Sequence, residues 1–105
     1  MSDTTLAGLQ QTIDRWIEAN GGYWDEMSLL ARLTEEVGEL AREYNHQFGA
    51  KKKKASESEG SIRGELADVL WLVLCMANQQ GIDLEAAFED VMLKLKVRDA
   101  GRFQR

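Results

Sequence analysis

The sequence predicts an all-α protein, a four-helix antiparallel bundle. Three observations point there. The 105 residues contain no proline. No stretch alternates apolar and polar residues as a half-buried strand would, and apolar residues instead recur three and four apart through most of the chain. The segments between these periodic runs are short, which favours antiparallel neighbours.

The first helix carries Leu6, Leu9, Ile13, Trp16 and Ile17 at helical spacing, with Ser2, Asp3 or Thr4 available as N-cap, and "NGGY" at 20–23 stops it. A second helix runs from about Asp25 or Ser28 to about His46, on Leu29, Leu30, Leu33, Val37, Leu40 and Tyr44, and Gly49 ends it. Residues 50–60, "AKKKKASESEG", have no apolar period and read as an exposed Lys-rich loop. A third helix spans about Ser61 to Gln80 and is closed by Gly81. A fourth starts after Asp83 as N-cap and continues to about Arg98, leaving a basic tail at 99–105. Residues 1–105 form one domain, since no composition shift or repeat divides them.

Bulk properties narrow the function. A formal net charge of −5 and a pI near 4.9 argue against nucleic-acid binding, which needs a broad basic surface. The single cysteine, Cys75, cannot form an intramolecular disulfide and fits a reducing cytoplasm, where its apolar setting suits packing better than a catalytic thiol. The longest apolar run, Val69–Ala77, is far short of the ~20 residues that span a bilayer. The N-terminus has no basic start followed by an apolar core. The expectation is a cytoplasmic protein with no membrane partner.

Chemistry concentrates in two carboxylate groups. In "LTEEVGELAREYN", Glu35, Glu36, Glu39 and Glu43 fall within an arc of about 100°, with the apolar residues on another side. Considered alone, this is a solvated acidic face balanced by Arg32 and Arg42. The third helix alters that reading. In "GELADVLWLVLCMAN", Glu65 and Asp68 stand three apart at the front of a helix that is apolar around most of its circumference. A carboxylate there needs a partner, either Arg or Lys from another helix or a metal ion. With the two helices antiparallel, Glu36/Glu39 and Glu65/Asp68 converge, and their mutual repulsion is relieved by a hard divalent cation. Oxygen-only ligation suits Mg²⁺ or Mn²⁺ better than Zn²⁺. A di-iron bundle needs two Glu-x-x-His pairs, and the sequence has one, Glu43-x-x-His46.

The order Glu35-Glu36-x-x-Glu39 and then Glu65-x-x-Asp68 resembles the EExxE…ExxD signature of MazG-type nucleotide pyrophosphohydrolases, in the all-α NTP pyrophosphatase superfamily. "ARLTEEVGELAREYNHQFG", "GELADVLWLVLCMANQQGIDLEAAF" and "KLKVRDAGRF" are similar to its small single-domain branch, so the likeness covers about residues 5–103. It implies Mg²⁺-dependent hydrolysis of a (d)NTP between the α and β phosphates, to the monophosphate and pyrophosphate, as nucleotide-pool house-cleaning. It implies metal ligation by Glu36, Glu39, Glu65 and Asp68. Glu35 is left as a second-ion ligand or, with Glu39, as a catalytic group acting on the attacking water. It also implies a homodimer or homotetramer, which the apolar third helix favours independently. For the substrate, Trp16, Tyr23 and Trp24 are candidates to stack on a base, Asn78 to hydrogen-bond sugar or base, and Lys94 and Arg98 to reach the polyphosphate. The alternative is a non-catalytic nucleotide-binding or regulatory oligomer of the same fold.

Overall fold

Four helices follow one another: α1 (Leu6–Ala19), α2 (Glu26–Phe48), α3 (Ile62–Gln80) and α4 (Leu84–Arg98). The computed structural model of the chain describes residues 4–49 and 60–98, and no strand occurs among them. The Lys51–Lys54 loop and the basic tail lie outside the described residues. So do Ser2 and Asp3, and the cap of α1 is neither of these nor Thr4. It is Thr5, whose Oγ1 accepts from the Gly8 amide at 2.9 Å. The helix starts with Leu6, the first side chain to pack on the core, so the cap falls immediately before it.

The other ends follow the expected chemistry. Ser61 Oγ accepts from the Gly64 amide at 2.9 Å and starts α3. Asp83 Oδ1 accepts from the Glu85 and Ala86 amides at 3.0 and 3.2 Å and starts α4. At the end of α3, Gly81 adopts a left-handed conformation (φ 68°), which lets its amide reach Asn78 O and the Ile82 amide reach Ala77 O. The turn after α1 needs two such residues, Gly21 and Gly22, with φ of 108° and 88°.

The core is where α1, α2 and α3 meet. Ile13 and Ile17 of α1, Leu29 of α2, and Leu72, Leu74 and Cys75 of α3 are buried together. Partly buried Leu6, Leu9, Tyr23, Leu33, Met76 and Leu84 pack around them. A buried glutamine ties α1 to the α3–α4 corner. Gln10 Nε2 donates to Asn78 Oδ1 (2.9 Å) and Ile82 O (2.8 Å), and its Oε1 accepts from the Leu84 amide (3.0 Å). Every polar atom of that amide is engaged, as burial demands. Glu85 completes the corner, with Oε1 accepting from the Ala7 amide at the positive end of α1.

α2 and α3 run antiparallel, and their shared face changes character along its length. At one end Leu29 and Leu72 belong to the apolar core, and at the other α2 sets Glu36 and Glu43 against the start of α3. α4 packs on α1 and buries none of its residues. Large apolar side chains therefore remain about half exposed or more: Val37 and Tyr44 on α2, Leu66 and Leu70 on α3, and Phe88, Val91, Leu93 and Val97 on α4, the last 83% exposed. Among the described residues, no helix is long and apolar enough to cross a membrane.

Candidate active site

The acidic end of the α2–α3 face collects three carboxylates. One oxygen each from Glu36, Glu65 and Asp68 lies within 4.8 Å of the others. α2 supplies Glu36, whose side chain is only 12% exposed. The first two turns of α3 supply the other two, spaced three apart so that both leave the helix on one side. Octahedral Mg²⁺ holds opposed oxygens about 4.2 Å apart, so this spacing suits a shared divalent cation. Glu65 makes the stronger case. Its Oε2 is buried and has no hydrogen-bond partner, which is costly for a carboxylate unless something else satisfies it. Burial, followed by the charges of Glu36, Asp68, Glu39 and Glu43, pushes the Glu65 carboxyl above its ordinary range. A cation among these oxygens reverses every one of those repulsions. The donor set is all oxygen, as hard divalent ions prefer.

The remaining acids have different surroundings. Glu39 is exposed but near enough to act on Glu65. Glu35 is 69% exposed on its side chain and stands 3.8 Å from Arg32 Nη1. Glu43 is buried, with its carboxylate against Gly60 just ahead of α3. A Cβ added to Gly60 would overlap Glu43 Oε2 and stand 2.9 Å from its Cδ.

A pocket of about 430 Å³ opens beside the carboxylates, a size ordinary for small-molecule sites. Glu36 and Asp68 stand on its wall, as do the aromatics Trp16, Tyr23, Trp24 and Trp71. Trp16 and Trp71 meet edge to face, with centroids 5.8 Å apart and planes at 79°. Tyr23 donates to Asp14 Oδ1 at 2.6 Å, and burial together with that bond pushes its phenol up to about 12. It is a neutral group at physiological pH. Gln79 Nε2 donates to the Trp24 carbonyl at 2.6 Å and fixes the backbone that carries this exposed indole. Cys75 forms part of the inner wall, and burial raises its thiol to about 11. Protonated and enclosed, it offers no nucleophile at neutral pH.

The sequence model of the MazG nucleotide pyrophosphohydrolase domain matches residues 25–103, which include both carboxylate groups. The chain belongs to the MazG family. It is an enzyme of the nucleotide pyrophosphohydrolase type, as the sequence resemblance implies. It is 46% identical to the protein YpjD of Bacillus subtilis strain 168 over 106 residues, covering all of this chain and 96% of YpjD. Its fold is similar to the crystal structure of Bacillus subtilis YPJD (TM-score 0.78, 47% identity, 90% of this chain and 97% of that one). It is also similar to that of a Bacillus-conserved MazG protein, a nucleotide pyrophosphohydrolase (TM-score 0.76, 44% identity, 90% and 93%).

In this MazG chain the expected substrate residues lie in different places. Trp16, Tyr23 and Trp24 line the pocket. Asn78 does not: its Oδ1 accepts from Gln10 Nε2 and its Nδ2 donates to Gln10 O at 2.9 Å, so it joins α3 to α1. Lys94 and Arg98 are on α4, around a shallow apolar depression with Leu93 and Val97, and are not among the residues lining the pocket. Among the lining residues that the sequence did not single out for the site are Trp71 and Arg32. Trp71 follows Asp68 by three positions and Arg32 precedes Glu36 by four, so each is a helical neighbour of a site carboxylate. That spacing was the available signal.

Proposed function

We propose that this protein hydrolyses a (d)NTP at the α–β phosphoanhydride, giving the monophosphate and pyrophosphate, with Mg²⁺ as its physiological ion and Mn²⁺ as a substitute. One observation carries the reading. Glu36 and Asp68, whose oxygens converge with one of Glu65, stand on the wall of an aromatic pocket. Polyphosphate and base therefore each find suitable chemistry within one cavity.

Glu36, Glu65 and Asp68 hold the metal, with Glu39 joining from the edge of the cluster. Bound there, the ion offsets polyphosphate charge and makes a water more acidic. Glu35 and Glu39 orient the attacking water and take its proton. The water oxygen bonds to the α-phosphorus as the bond to the α–β bridging oxygen breaks, and pyrophosphate leaves with that oxygen. No covalent nucleophile is needed, in keeping with the protonated Cys75. Trp16, Trp24 and Trp71 present π-faces and edges to the base, which gives affinity for any base and leaves selection to pocket shape. Residues 1–105 act as one MazG domain, in the cytoplasm, to clear unwanted nucleotides.

The protein works as a homodimer or homotetramer. The exposed apolar residues of α2, α3 and α4 support this, since a helix with no buried side chain gains little from its own chain. In such an assembly Lys94 and Arg98 of one copy meet the polyphosphate of another.

The test is a panel of canonical and modified nucleoside triphosphates with Mg²⁺ or Mn²⁺ and identification of products. Monophosphate with pyrophosphate, lost in Glu39→Gln, is the expected result. Release of orthophosphate, or no turnover of any nucleotide, contradicts the proposal.

A further inference from the structure

Arg32 sits between the two halves of the site. Among the described residues that line the pocket, it alone carries a positive charge. Its Nε stands 3.7 Å from Glu36 Oε2 and its Nη1 3.8 Å from Glu35 Oε1. Charge-assisted N–H···O bonds run to about 2.7–2.9 Å, so both pairs are loose. The guanidinium is half exposed, whereas Glu36 is nearly covered. The arginine therefore has open space to move into, and the carboxylate has little.

This places one carboxylate under two claims. Glu36 Oε2 faces Arg32, and a Glu36 oxygen also belongs to the cluster with Glu65 and Asp68. A loose i,i+4 pair on one helix changes an equilibrium only about twofold, so a divalent cation held by three carboxylates outcompetes it. Arg32 then loses its Glu36 partner and keeps only the loose pair with exposed Glu35 while still on the pocket wall, and a guanidinium matches phosphate oxygens through a rigid fork of donors.

We propose that Arg32 is a placeholder cation of the free site, moving from Glu36 to the substrate's polyphosphate once metal occupies Glu36. This rests on the function proposed above and adds a substrate-binding residue to it. The same side chain opposes the metal when nucleotide is absent and favours the nucleotide when metal is present. Its removal must therefore shift the two affinities in opposite directions.

The experiment measures Mn²⁺ binding without nucleotide, and binding of a non-hydrolysable α,β-imido nucleoside triphosphate in Mg²⁺, for wild type, Arg32→Gln and Arg32→Lys. Arg32→Gln is expected to bind Mn²⁺ about two- to threefold more tightly, as loss of the weak pair allows. It is expected to bind the analogue about tenfold or more weakly, as loss of a charged hydrogen bond requires. Arg32→Lys keeps the charge and restores Mn²⁺ affinity to near wild type, with part of the nucleotide affinity. Arg32→Gln affinities that are unchanged, or that both fall, overturn the proposal and leave the proposed function standing. A wild type that binds neither probe overturns both.

Discussion

Part of each side of α2 is used against its composition. Two of its acids, Glu36 and Glu43, are turned toward α3 and largely covered, while Val37 and Tyr44 of the apolar side are about half exposed. A helix in a monomeric globule does the opposite. Neither side is finished by its own chain. The inward acids need positive charge, and the outward apolar surface needs another apolar surface. The first need points to a cation and the second to another copy, and each can be broken separately.

The largest effect comes from the inward side. Glu65→Gln removes a ligand without changing its shape, and nucleotide turnover falls by about a thousandfold or more, roughly 4 kcal/mol of barrier, with helicity by circular dichroism unchanged. On the outward side, Val37→Lys with Phe88→Lys places charge in the proposed interface. Sedimentation is expected to move from two or four times the 11.9 kDa chain mass toward the monomer. An unchanged mass removes those two residues from any interface.

A smaller effect lies where Glu43 meets the start of α3. Gly60→Ala puts a methyl into the Glu43 carboxylate and costs about 1–3 kcal/mol in chemical denaturation. Combined with Glu43→Ala, which clears that space, the losses are less than additive.

The smallest effect is on pH dependence without metal. Folding raises the Glu65 carboxyl above the unfolded value of 4.5, so the folded state keeps this proton longer than the unfolded chain does. Stability is then lost as pH rises from the unfolded value through the folded one. With chelator present, Glu65→Gln is expected to melt higher than wild type at neutral pH, and the gap closes in acid as Glu65 takes up its proton. Parallel melting curves that never diverge contradict the burial assigned to Glu65.

Much of this was legible in the sequence. Spacing of apolar residues located all four helices, because each buries a stripe or packs on a neighbour through one, and Ser61, Gly81 and Asp83 serve as the ends their types suggest. The approach of Glu36 to Glu65 and Asp68 followed from two helices joined antiparallel with a charged pair on each. What escaped depends on a third element. α2 alone reads as a solvated acidic face, and only the packing of α3 covers Glu36. Asn78 has the chemistry to bind a sugar, but α1 lays Gln10 across it and takes both ends of its amide. Thr5 is the cap of α1 because Leu6 finds the core, a tertiary fact invisible in a run of four cap-forming residues.

Whether a divalent cation completes the inward acids is decided by a thermal melt under Mg²⁺ titration at fixed protein concentration. A ligand bound only by the folded state adds about 2.7 kcal/mol at a hundredfold excess over its Kd. The wild type is therefore expected to melt progressively higher as Mg²⁺ is added, and Asp68→Asn is expected to show little or no shift. A wild-type melting temperature indifferent to Mg²⁺ and Mn²⁺, or an equal rise in Asp68→Asn, would contradict the account.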